Sequence, residues 1–157
     1  MRPMPVWYHE TYTEGISRSA RFPRDRYRML RERLNDLHGT GLICIESPEP
    51  VVRDTLLIAH EQDYVDRFLS GSLDTKEVRR IGLEPWTGAF LPRTMRIIGG
   101  AVEALAHVTR FGGIAANMAG GTHHSHRSFG SGYCVFNDLA ICALLARDEY
   151  GYERIAV

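Results

Sequence analysis

Nothing restricts the fold of this chain more than the run Gly120–Asp138, GGTHHSHRSFGSGYCVFND, a polar loop set between two apolar segments. Ile114–Met118 precedes it and Val135–Leu145 overlaps its end, so the loop has to be held between two elements that seek burial. His123 and His124 are adjacent, and His126 lies two positions on. Gly113, Gly120, Gly121, Gly130 and Gly132 bracket them. Glycine reaches backbone angles closed to other residues and lets main chain come close to a ligand. Loops rich in imidazole on a rigid scaffold are where catalytic groups are presented.

The rest of the chain alternates short strands with helical patterns. Pro5–His9 is aromatic and β-branched and reads as a first strand. From Arg24 onward Tyr27, Leu30, Leu34 and Leu37 share one helical face, and Gly39 supplies its stop. Leu42–Ile45 reads as a second strand and Ser47–Pro50 as a turn. Arg53–Leu69 reads as two helical pieces with His60, a polar packing residue, at their junction and Gly71 beyond the second. Asp74–Ala89, with Pro85, Trp86 and Gly88, reads as irregular; its tryptophan either rims a binding surface or folds onto the core. Pro92–Val108 is the clearest helix, striped by Met95, Ile98, Val102 and Leu105. Its Gly99–Gly100 pair costs stability unless another element packs closely there. Ile114–Asn117 reads as a buried strand, and Asn137 as the N-cap of a buried helix. Glu153–Val157 has the look of a further strand. The alternation predicts an α/β fold around a parallel sheet. In such sheets ligands gather beyond the carboxyl ends of the strands, where the histidine loop stands.

Composition narrows the function classes. The 157 residues carry zero formal net charge and 44% hydrophobic residues, which fits one globular domain with no field to gather nucleic acid. Arginines crowd Arg18–Arg33, but Asp25 and Glu32 interrupt them and no aromatic platform accompanies them, so the stretch reads as a solvated face. Cys44, Cys134 and Cys142 are odd in number and set among apolar residues, which predicts reduced thiols. No run suits a signal peptide or a bilayer span, so the expectation is a cytoplasmic protein without a membrane partner.

Neighbouring side chains on extended backbone point apart, so His123 and His124 are not expected to chelate one metal. They read as a proton-handling pair beside a metal or a carbonyl. His126 could share a metal with His124 or stand exposed. As bare residue types the cluster is catalytic, ligating or a polar turn.

The segment GGTHHSHRSFGSGYCVFND resembles the active-site segment of the histone deacetylase family, zinc-dependent enzymes that include bacterial acetylpolyamine and acetoin-utilisation relatives. FPRDRYRMLRERL at Phe22–Leu34, AHEQDYVDRFLSG at Ala59–Gly71, RRIGLEPW at Arg79–Trp86 and GGAVEALAHV from Gly99 extend the resemblance over nearly the whole chain. It implies a three-layer α/β/α fold with a parallel sheet, like that of arginases and deacetylases. It implies hydrolysis of acetyl-lysine or another acetylated amine to free amine and acetate. By the same resemblance His124 is the general base and His123 its electrostatic assistant. Gly132 would offer its carbonyl to the substrate amide, and Tyr133, where the family usually has Phe, would line the acyl-lysine tunnel. Cys134 would be a packing group, Asn137 and Asp138 would cap the next helix, and Ser125 in place of Ala would matter little.

The family's zinc ligands sit on an Asp-x-His motif just after the strand begun by ERIAV, with a further Asp later. No metal ligand is therefore expected on this chain. Residues 1–157 are expected to be the truncated N-terminal portion of one deacetylase-like domain with no second domain, inactive alone and marginal in stability. Two alternatives stand beside that reading. One is a non-catalytic module that keeps the acyl pocket; the other is an unrelated α/β domain whose HHSH loop binds a metal by itself.

Overall fold

Strand β1 (Met4–Trp7) runs through the middle of a parallel sheet of three strands, flanked by β2 (Ile43–Glu46) and β3 (Ala116–Asn117). The computed structural model describes residues 2–157. Met4 pairs with Ile43 and Val6 with Ile45 on one side, and Val6 pairs with Ala116 on the other. Because successive strand residues face opposite ways, β1 serves two cores. Val6 packs with Ile43, Met118 and Leu34 on one face. On the other face the Trp7 indole N–H donates to Glu103 at 2.5 Å and its ring meets His107 edge-on. Helices therefore cover both faces, which gives the α/β/α layering expected of the family.

The long helix on the Trp7 side is α6 (Phe90–Phe111). Its paired glycines are there for contact: a Cβ on Gly99 would collide with the Glu49 carbonyl, and one on Gly100 would lie 2.7 Å from Asn117 Oδ1 at the end of β3. Helices α3 (Arg53–Leu57) and α4 (Gln62–Leu69) are the two expected pieces. Helix α7 (Asp138–Asp148) is capped by Asn137, whose side chain accepts from the Ala140 N–H. A 3₁₀ turn (Glu10–Thr13) follows β1 and buries Tyr12.

Several expectations are corrected. The basic helix breaks at Leu34 into α1 (Arg26–Arg33) and α2 (Asn35–Gly39). Only Tyr27 of its stripe is buried, while Leu30 and Leu37 face solvent. Asp74–Ala89 is not irregular throughout, since Thr75–Ile81 forms α5. Its Asp74 side chain accepts from the Lys76 and Glu77 amides, and Glu77 reaches back to the Asp74 N–H, a complete capping box. Of the two readings left open for Trp86, the inward one holds: it packs against the core and stacks on Phe90 at 5.0 Å. Strand β3 is shorter than expected, and Ile114 before it is 74% exposed. An edge strand with one neighbour buries less than a central one. Helix α7 buries one side only, with Leu139, Ala143 and Leu144 half-buried. Glu153–Val157 is exposed and forms no strand, because a strand needs a partner and none of the described residues pairs with it.

Candidate functional site

The histidine loop leaves the carboxyl end of β3 and returns to the N-terminus of α7, and polar side chains fix it along its length. Asp138 is buried, with one carboxylate oxygen accepting from the Gly121 N–H at 2.9 Å. The other accepts from the Thr122 N–H and hydroxyl, at 2.7 and 2.6 Å. Asn137 donates its side-chain amide to the Ser125 carbonyl at 3.1 Å. Ser125 is itself buried and donates its hydroxyl to the Val135 carbonyl at 2.7 Å. The expectation that Ser125 has little consequence is therefore revised, as an alanine could not make this bond. Asp138, expected only to cap a helix, anchors the residues that immediately precede His123.

His60 ties the loop from outside. Its Nε2 accepts from the Asn137 N–H at 2.9 Å, and its Nδ1 lies 3.0 Å from the His126 carbonyl. That partner set requires the neutral ring with hydrogen on Nδ1. Burial pushes its pKa below the ordinary histidine value. The expected packing role holds, with a precise task added to it.

His123 and His124 lie in a turn rather than on extended backbone, which corrects the premise that their rings diverge. The ring centroids are 4.1 Å apart and the planes are inclined at 42°. His123 Nδ1 lies 2.9 Å from the Gly121 carbonyl, so it carries the hydrogen and donates it. Gly132 has φ of 55° and packs flat on His124; an added Cβ would lie 3.0 Å from the ring. That close approach is what requires glycine there. Tyr133 holds a left-handed φ of 68°, fixed by its N–H donating to the Ile81 carbonyl at 2.7 Å. Its ring stands edge-on to Phe22 at 5.4 Å.

His123, His124, Gly132 and Tyr133 all line one cavity of about 170 Å³. His126 does not; it stacks on Phe129 at 4.5 Å. Cys134 also lines the cavity, but burial raises its thiol pKa, which suits packing and not nucleophilic attack. Burial pushes Cys142 up to about 12.

Three lining groups were not singled out by the sequence reading. Phe22 adds a second aromatic ring, in edge-to-face contact with Tyr133. Arg93 is 4% exposed, donates its Nε–H to the Tyr12 carbonyl at 2.9 Å and has no carboxylate within ion-pair distance among the described residues. Burial lowers its pKa. Next to it the buried Thr94 hydroxyl has no hydrogen-bond partner. A cavity with imidazoles, an unneutralised guanidinium and an unpaired hydroxyl can exchange protons and can hold an anion.

Among the described residues no group of three or more His, Cys, Asp or Glu side chains is placed to hold a metal ion. His123 and His124 are only two imidazoles, and the Asp138 oxygens are already engaged by N–H and hydroxyl donors. The residues present do not fit a zinc site. No helix among them is long and apolar enough to cross a membrane.

A family model for the histone deacetylase domain matches residues 20–157. An uncharacterized protein of Picosynechococcus sp. is 37% identical over 156 residues, which is 98% of this chain and 50% of the relative. The acetoin utilization protein AcuC of Staphylococcus aureus is 30% identical over 126 residues, 71% of this chain and 32% of the relative. AcuC of Staphylococcus xylosus is 27% identical over 161 residues, 97% of this chain and 42% of the relative. The chain thus spans half the length of these relatives or less.

Proposed function

Because the chain belongs to the histone deacetylase family, we propose that it is the N-terminal portion of a domain that hydrolyses acetyl-lysine or another acetylated amine. One observation carries this reading: both histidines of the tandem pair share a cavity with Gly132 and Tyr133. In the proposed reaction the adjoining rings of Tyr133 and Phe22 offer an apolar surface to the methylenes that carry the acetylated nitrogen, and the Gly132 carbonyl accepts from the substrate amide N–H. His124 takes a proton as water attacks the acetyl carbonyl and later returns it to the leaving amine. A positioned histidine of this kind contributes about 10²–10⁴-fold. His123, whose Nδ1 hydrogen is held by the Gly121 carbonyl, stabilises the charge that develops beside it. Arg93 and Thr94 make the inner end of the cavity favourable to the acetate released.

Zinc is the cofactor this family implies; when bound it would polarise the acetyl carbonyl and acidify a water. Since the described residues do not fit it, we place its ligands outside them and assign turnover to a protein of the relatives' full length, working in the cytoplasm. The test is an assay of that protein on an acetyl-lysine peptide, following acetate and free amine together. Equal release of both is the expected result. A protein that binds the acetylated peptide but releases neither is an acyl-pocket binding module, and the hydrolase reading fails.

A further inference from the structure

Outside the cavity, on the far side of Tyr133, lies a larger groove of about 640 Å³. It shares Gly132 and Tyr133 with the cavity, so the two spaces are adjacent compartments separated by one aromatic wall. Its other lining side chains include Arg21, Arg80 and Glu84. Arg80 is held in place: its guanidinium lies 4.5 Å from the centroid of the Phe129 ring, and its carbonyl accepts from the Gly132 N–H at 3.3 Å. Arg26, an exposed residue that also lines the first cavity, lies over Phe22 and Tyr27 at 4.6 Å from each and donates to the Tyr27 hydroxyl at 2.6 Å.

None of Arg21, Arg26, Arg80 or Arg93 has a carboxylate within 4.0 Å among the described residues, although eight arginine–carboxylate contacts elsewhere meet that distance. Four guanidinium groups thus line the two compartments against one carboxylate, Glu84. In a chain of zero net charge this is a local concentration of positive charge, and a cleft focuses such a field. Guanidinium also binds carboxylate with a matched pair of donors.

We infer that the groove selects acetyl-lysine segments with acidic neighbours and disfavours acetylated amines that keep a second positive charge, such as acetylpolyamines. The inference rests on the deacetylase reading for the placement of the acetyl group. It adds that Arg21 and Arg80 contact the flanking chain. Both are exposed, so replacing them tests specificity without cutting the core.

The experiment measures binding by fluorescence anisotropy for three labelled peptides on the full-length protein. Each has one acetyl-lysine, flanked by aspartates, alanines or lysines, and each is compared with its unacetylated form. The acidic acetylated peptide is expected to bind about tenfold tighter than the basic one at low salt, the ratio shrinking toward unity at high salt. Arg21→Glu with Arg80→Glu should abolish or invert that order. Equal affinities, an order unchanged in the double variant, or equally tight binding of the unacetylated acidic peptide each overturn the inference. Turnover of the alanine-flanked peptide is followed in parallel. Hydrolysis without an acidic preference sinks this inference alone, whereas an acidic preference without hydrolysis sinks only the proposed reaction.

Discussion

The histidine loop and the last eight residues are both largely free of regular secondary structure, yet they are held in opposite ways. In the loop, Gly121 and Thr122 are gripped by Asp138, Ser125 by Asn137 and Val135, and the return to α7 by His60. The last eight residues are tied back to α7 by main chain alone, with the Tyr150 N–H donating to the Leu145 carbonyl and the Tyr152 N–H to the Ala146 carbonyl, and their apolar Ile155 and Val157 are 42% and 84% exposed. The contrast teaches that order in a loop need not come from strands or helices. Where buried polar side chains bind the backbone, the loop's shape is set before any substrate arrives. Where no side chain among the described residues binds the segment, only main-chain bonds to the neighbouring helix hold it.

The most damaging way to break that contrast is Asp138→Ala. It should cost about 3 kcal/mol, because a buried carboxylate that accepts several hydrogen bonds is lost and its donors are stranded. Urea denaturation gives the cost, and amide hydrogen exchange at Gly121 and Thr122 should accelerate to resemble that of the tail. His60→Phe keeps the bulk between Tyr64 and Phe136 but strands the Asn137 N–H, for an expected loss of about 2 kcal/mol. This variant also carries a pH signature. The folded chain holds the His60 pKa below its ordinary value of 6.5, so below that pH the unfolded chain binds a proton the folded one refuses. The His60 contribution is therefore full above about pH 6.5 and declines as pH falls, and denaturation at pH 5 and 7.5 should show a smaller difference in the variant. Ser125→Ala should cost about 1 kcal/mol, the worth of one hydrogen bond. Val157→Lys, in the tail, should change stability by less than about 0.5 kcal/mol. If the tail substitution cost as much as the serine change, the two regions would not differ in the way described.

Much of this organisation was legible in the residues. The alternation of elements, the two helical pieces around His60, the cap at Asn137 and the need for close contact at Gly99–Gly100 all follow from local pattern. What escaped depends on distance or on a competing signal. The Asp74–Glu77 capping box is local, but Pro85, Trp86 and Gly88 just downstream made the whole stretch read as irregular. Asp138 looks like an ordinary acidic residue in the first turn of a helix; its partners lie sixteen and seventeen residues back and leave no periodic mark. Arg93 carries no local signal that singles it out, and only the packing of Tyr12 and α6 reveals that it is buried. The divergence expected of His123 and His124 failed because it assumed extended backbone where the chain turns. Leu30 and Leu37 followed helical periodicity faithfully, but periodicity states only which residues share a face, and not that anything covers it.

The central claim is that two imidazoles of this loop carry protons at a shared cavity while the third only packs. Acetate release by the full-length protein carrying His123→Ala, His124→Ala or His126→Ala tests it most directly. The account predicts that kcat/KM falls about 10²–10⁴-fold for His124→Ala, by a smaller factor for His123→Ala, and stays near that of the parent for His126→Ala. Unchanged turnover in His124→Ala, or a loss in His126→Ala as deep as in the other two, would contradict it.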